Sequence, residues 1–127
     1  MPFIQIYLGD HLTEKNKTDI SSAVHNSLVA VFKIPVDDYF HVIHTLPPGS
    51  IRYPASYMNV PHSHQQVYIR ITARDGRTVA MKKELYQQIA AGIAASTPVP
   101  ASDVFIVLVE TAAENWSFGN GLAQMVP

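Results

Sequence analysis

The chain contains no cysteine, which excludes disulfide staples, thiolate nucleophiles and cysteine-ligated metals. Charge is sparse too: 9 Lys and Arg against 10 Asp and Glu leave a formal net charge of -1 over 127 residues. Without a basic stripe there is no electrostatic grip on a nucleic-acid backbone, so no nucleic-acid partner is expected. No stretch approaches the ~20 apolar residues needed to cross a bilayer. The N-terminus also lacks the positive region and long apolar run of a secretory leader, and the expectation is a cytoplasmic protein without a membrane partner. Nucleophile elbow, phosphate loop and dinucleotide fingerprint are all missing, so no cofactor is expected. His62-Ser63-His64 has a spacing that could ligate a metal from an extended segment. With no carboxylate nearby in sequence it reads as a polar loop, and no metal is expected.

What the chain does have is an ungapped internal repeat with an offset of 65 residues. Ile4 and Ile6 fall on Ile69 and Ile71, Thr13 on Thr78, Pro35 on Pro100, Asp38 on Asp103, Phe40 on Phe105 and Val42 on Val107. Each half, about 2–44 and 67–110, reads as strand, helix, strand. Ile4, Ile6 and Leu8 alternate with Phe3, Gln5 and Tyr7 at the period of two of a strand, and Val67, Ile69 and Ile71 repeat the pattern. The first helix is expected from a Thr13 cap to about Phe32, with Ile20, Val24, Leu28 and Val31 as its apolar stripe. The second runs from a Thr78 cap, with Met81, Leu85, Ile89 and Ile93 inward, and stops at Ser96-Thr97-Pro98. Right-handed crossovers then give one α/β domain over 1–127: a tandem β-α-β repeat, with a four-stranded sheet and both helices on one face. The uncovered face calls for other subunits. Between the halves, Thr45 to Gln65 reads as a loop with a short hairpin around Ile51 to Val60, and a tail follows from Thr111.

Pro2 heads the first strand. Removal of Met1 would leave a secondary amine there, with few rotational states to lose when a substrate docks. Burial beside a cation favours the neutral form of such an amine, which is a base at physiological pH.

Pro2 at the head of a β-α-β unit, a second such unit, Asp38 after Pro35-Val36-Asp37, the pair Arg74 and Arg77 before the second helix, and the tail Trp116-Ser117-Phe118-Gly119 together resemble the tautomerase superfamily. The resemblance covers essentially the whole chain. It is nearest the malonate semialdehyde decarboxylase-like branch, while the two residues separating Arg74 from Arg77 look more like the cis-3-chloroacrylic acid dehalogenase branch. That second branch uses a histidine where this chain has Leu28, and the small tautomerases acting on dicarboxylates carry an arginine where it has Leu12. The resemblance implies a homotrimer and a catalytic amino-terminal proline acting on a small 2-oxo or 3-oxo carboxylic acid.

As chemistry, neutral Pro2 can move a proton between carbon and oxygen of a ketone, and cationic Pro2 can donate one or polarise a carbonyl. Arg74 and Arg77 can hold a substrate carboxylate through planar, paired donors. Asp38 could activate water or orient a carbonyl, although its twin Asp103 suggests a plain turn residue. Trp116 and Phe118 would exclude water. Two cations and an apolar wall against one carboxylate favour a neutral nitrogen and keto-enol tautomerisation. Cofactor-free decarboxylation or hydration of a three-carbon acid is the alternative, and a non-catalytic oligomeric binding or signalling module is the alternative of another class. His25 reads as structural, and His41 and His44 as packing or interface residues.

Overall fold

The computed structural model describes residues 1–127. In chain order it contains β1 (Pro2–Gly9), α1 (Glu14–Ser27), β2 (His41–Leu46), β3 (Ser56–Tyr57), β4 (Val60–Pro61), β5 (Val67–Arg74), α2 (Val79–Ser96) and β6 (Val104–Thr111). Each helix starts where a threonine hydroxyl satisfies a free backbone N–H. Thr13 accepts from the Asn16 amide at 3.0 Å while the Asn16 side chain accepts from the Thr13 amide at 3.1 Å. Thr78 accepts from the Met81 amide at 3.1 Å.

Helical structure reaches Phe32 as expected, but residues Leu28–Phe32 form a π-helical turn rather than a further α turn. The widened turn keeps Leu28, Val31 and Phe32 all in the core. Lys33 then leaves it in the left-handed region at φ 59°. The hairpin is tighter than expected. β3 and β4 pair only over Ser56–Tyr57 and Val60–Pro61, around Met58 and Asn59, whose positive φ values of 50° and 64° are those of a type I′ turn.

The main sheet has the order β2-β1-β5-β6. β1 runs parallel to β2 and β5 parallel to β6, while β1 and β5 meet antiparallel at the centre. There Ile4 pairs with Ile71 and Ile6 with Ile69, so each isoleucine faces the repeat twin of the other across a local two-fold axis. Both helices cover the face built by Ile4, Ile6, Leu8, Val67, Ile69 and Ile71, all fully buried against Ile20, Val24, Leu85, Ile89 and Ile93. The opposite face carries no helix. Phe3, Val42, Phe105 and Val107 are 36%, 40%, 52% and 45% exposed there, with Tyr68 edge-on to Phe105 and Tyr7 stacked on His44. No helix is long and apolar enough to cross a membrane.

Candidate active site

The topology gathers four distant segments at one end of the sheet. Antiparallel pairing sets Pro2, the first residue of β1, opposite Ala73 near the end of β5, and parallel pairing sets Arg74 beside Thr111, the last residue of β6. The entry to β2 arrives at the same end, because the Ile4 amide donates to the Phe40 carbonyl at 3.0 Å. Pro2, Asp38, Arg74 and the tail are therefore neighbours.

Asp38 points at the head of β1. Its Oδ2 lies 2.8 Å from the Met1 ammonium, and the two side chains are 13% and 11% exposed. Backbone bond lengths keep consecutive nitrogens within about 3.7 Å, so the Pro2 nitrogen sits next to this contact. The second carboxylate oxygen, Oδ1, is buried and has no hydrogen-bond partner in the chain. A buried acceptor without a partner in the chain is costly.

Beside Met1 a cleft of about 360 Å³ opens between Arg74, Gly76, Arg77, Met81 and Met125. Gly76 takes φ 113°, which an L side chain rarely adopts, and this turn lets Arg77 fold back so that Nη1 donates to the Arg74 carbonyl at 2.7 Å. The Arg77 guanidinium also lies 4.9 Å from the centre of the Phe32 ring. Burial, and then repulsion from Arg74, lower its pKa from the ordinary arginine value, while Glu110 and Asp38 oppose that shift. One donor is used on the backbone, and the others remain for a carboxylate. Arg74 is exposed on the rim.

On the other side of Pro2 is an aromatic hollow of about 360 Å³, walled by Phe3, Phe40, Trp116 and Phe118. Trp116 is fixed by its indole N–H, which donates to Thr111 Oγ1 at 2.7 Å, and Phe118 stacks on it with ring centres 5.8 Å apart. Phe118 in turn lies 6.2 Å from Phe40. The tail is held by Gln124, which accepts from the Phe118 amide and donates to the Gly119 carbonyl, both at 3.0 Å; Gly119 adopts φ 130° to make that return.

All six residues expected at the site, Pro2, Asp38, Arg74, Arg77, Trp116 and Phe118, meet around the head of β1. Phe3, Phe40, Met81 and Met125 line it as well and were not anticipated. A signal existed for two of them: Phe3 alternates out of the core beside Ile4, and Phe40 is the repeat twin of Phe105, which sits on the open face. The histidines lie elsewhere. His62 Nδ1 donates to the Pro54 carbonyl at 2.8 Å, His64 lies beside His11, and His44 stacks on Tyr7. Asp103, the twin of Asp38, is 1% exposed and accepts from both the amide and the hydroxyl of Ser63.

Comparison with known proteins bears on the family and the fold. Two family profiles, each described as tautomerase enzyme, match residues 38–119 and residues 2–53. The chain is 38% identical over 126 residues to the probable tautomerase YusQ of Bacillus subtilis strain 168, covering 99% of each chain. It is similar to the crystal structure of FG41 malonate semialdehyde decarboxylase inhibited by 3-bromopropiolate, with 33% identity, a TM-score of 0.92, and coverage of 98% of this chain and 94% of that one. A symmetric trimer of wild-type fused 4-OT shares the fold at 18% identity and a TM-score of 0.81, covering 97% and 96%. The chain is an enzyme of the tautomerase family.

Proposed function

We propose that the mature chain, with Met1 removed, uses the Pro2 amine to move protons on a small 2-oxo or 3-oxo carboxylic acid. The observation that carries this reading is the 2.8 Å approach of Asp38 Oδ2 to the Met1 ammonium, one residue before Pro2. An ionised carboxylate at that distance favours the charged form of a Pro2 amine, whereas Arg74 and Arg77 across the cleft disfavour it. Of these, Asp38 alone makes a direct contact with the amino terminus. The geometry therefore weights the balance towards cationic Pro2, away from the neutral form that residue counting favours.

Cationic Pro2 suits cofactor-free decarboxylation of a 3-oxo acid. Arg77 and Arg74 hold the carboxylate, and the Pro2 N–H donates to the 3-oxo oxygen. The bond between C2 and the carboxylate carbon breaks, its electron pair forming the enolate as CO2 leaves; cationic Pro2 then gives its proton to C2 and is recharged from water. The aromatic hollow keeps water from the developing charge. The likeness to FG41 malonate semialdehyde decarboxylase, at 33% identity, supports this reading. Keto-enol tautomerisation is the second reading. It is supported by the probable-tautomerase relative and by the two arginines, which would hold Pro2 neutral if they outweighed Asp38.

The pH profile of kcat/KM separates the two. A base shows activity rising through a limb near or below ~7.7 that disappears when Pro2 is modified, and an acid shows a plateau that falls only well above ~8. Malonate semialdehyde and the enol of a 2-oxo acid serve as the two assay substrates. A homotrimer is part of the proposal: the fold's open apolar face needs a cover, and the fused 4-OT relative is a trimer.

A further inference from the structure

A polar cluster outside the cleft brackets Asp38. Ser21 and His25 lie one turn apart on α1, only 3% and 7% exposed among Ile20, Val24 and Leu28. Both reach the loop that carries Asp38. His25 Nε2 donates to the Val36 carbonyl at 2.8 Å. A carbonyl can only accept, so neutral His25 carries its proton on Nε2, and its buried Nδ1 is left without a partner. Ser21 Oγ is hydrogen-bonded to the Tyr39 hydroxyl and lies 2.9 Å from His41 Nδ1. The Tyr39 ring stacks on His41 at 4.2 Å and stands edge-on to His25 at 4.6 Å.

Between these anchors the backbone turns sharply. The Asp38 amide donates to the Pro35 carbonyl at 3.1 Å, and the Tyr39 amide donates to the Asp37 carbonyl at 2.9 Å, which centres an inverse γ-turn on Asp38. The chain is thus tied to α1 two residues before Asp38 and one residue after it. Tyr39 reaches α1 while Asp38 reaches the amino terminus, so a pull on one side of the turn is a pull on the other. Buried polar groups are costly where apolar ones would pack, and here every hydrogen bond they make ends on the loop or on the first residue of β2.

We propose that Ser21, His25 and Tyr39 are positioning residues, which hold the Asp38 carboxylate against the chain's terminal amine without touching the substrate. This rests on the role of Asp38 proposed above. The charged groups facing Asp38 are the terminal amine and Arg77, while His25 and His41 lie behind its loop. Burial, and then repulsion from His25, lower the His41 pKa to about 4, so near neutrality the ring is uncharged and is hydrogen-bonded through Nδ1 to Ser21 Oγ, which also holds the Tyr39 hydroxyl. Loosening this cluster lets the carboxylate drift, and displacements of about 1 Å in an active site cost up to about a hundredfold in rate.

Tyr39→Phe keeps the ring of a half-exposed residue and removes only its hydroxyl, so it folds even if His25→Leu does not. The mature chain, labelled with 13C-proline, gives the Pro2 titration by NMR, and malonate semialdehyde serves as kinetic probe. Tyr39→Phe and His25→Leu are expected to lower kcat by about tenfold with KM nearly unchanged. They should also move the Pro2 titration to lower pH, in the direction taken by Asp38→Asn, and His25→Gln, which can still donate to Val36, should restore both. If Asp38→Asn changes kcat and titration while Tyr39→Phe and His25→Leu leave both at wild-type values, the positioning role is overturned and the role of Asp38 stands. If Asp38→Asn itself changes neither, the role of Asp38 fails and the positioning role falls with it.

Discussion

Asp38 and Asp103 stand 65 positions apart at matching points of the two repeats, yet both carboxylate oxygens of Asp103 are taken by Ser63, whereas Asp38 keeps Oδ1 without a partner. One twin fastens a loop and the other faces the amino terminus. Asp103→Ala strands the Ser63 amide and is expected to cost about 1–3 kcal/mol of stability. Its turnover per folded molecule should remain that of the parent. Asp38→Asn should do the reverse, unfolding at nearly the parental temperature while losing about a hundredfold or more in turnover. Thermal denaturation and kinetics on both variants check the pair.

Arg77→Ala should raise KM for carboxylic-acid substrates, and in a keto-enol assay it should leave neutral ketones almost untouched, because a neutral ketone offers the guanidinium no carboxylate to hold. The lost contact with the Phe32 ring is expected to cost only about 0.5–1 kcal/mol of stability, as befits a partly exposed cation over an aromatic face. Equal losses on acids and neutral ketones would remove the carboxylate role.

The helix-free face predicts association. Phe105 and Val107 are 52% and 45% exposed on β6, and covering such surface gains roughly 25 cal/mol per Å². Sedimentation at micromolar concentration should show one species near three times the 14.0 kDa chain mass. Val107→Asp should shift it towards monomer. A compact monomer of the parent chain would contradict this.

His41 supplies a pH-dependent stability. Its pKa is about 4 in the folded chain against an ordinary 6.5, so as pH falls the unfolded chain takes up the proton first. The contribution is full above about pH 6.5 and is lost as pH falls towards 4. Water reaches part of the ring, which reduces the effect to about 1–2 kcal/mol. His41→Gln should therefore unfold with a flatter stability profile between these pH values. An unchanged slope would show that another group titrates there.

The repeat made the fold readable. Ile4 and Ile6 over Ile69 and Ile71 carry strand period and pseudo-symmetry together, and Thr13 and Thr78 mark the helix starts by their own chemistry. The residues ringing Pro2 were legible chiefly through the resemblance, since nothing local in Trp116-Ser117-Phe118 says that Gln124 folds the tail back over β1. The π turn at Leu28–Phe32 was hidden because the spacing of Leu28, Val31 and Phe32 suits an α-helix equally well. Tyr39 and Ser21 were missed for a different reason: they meet across 18 residues, at a distance set by the turn around Asp38 and by no sequence period.

Proton transfer at the Pro2 nitrogen is the central claim, and turnover of Pro2→Ala tests it most directly. The assay uses chains shown by intact mass to lack Met1, with malonate semialdehyde and the enol of a 2-oxo acid as substrates. The substitution keeps an amine at the amino terminus but removes the ring that fixes it, and turnover is expected to fall by at least ~100-fold on the substrate the parent uses. A Pro2→Ala chain turning over at the parental rate would contradict the account.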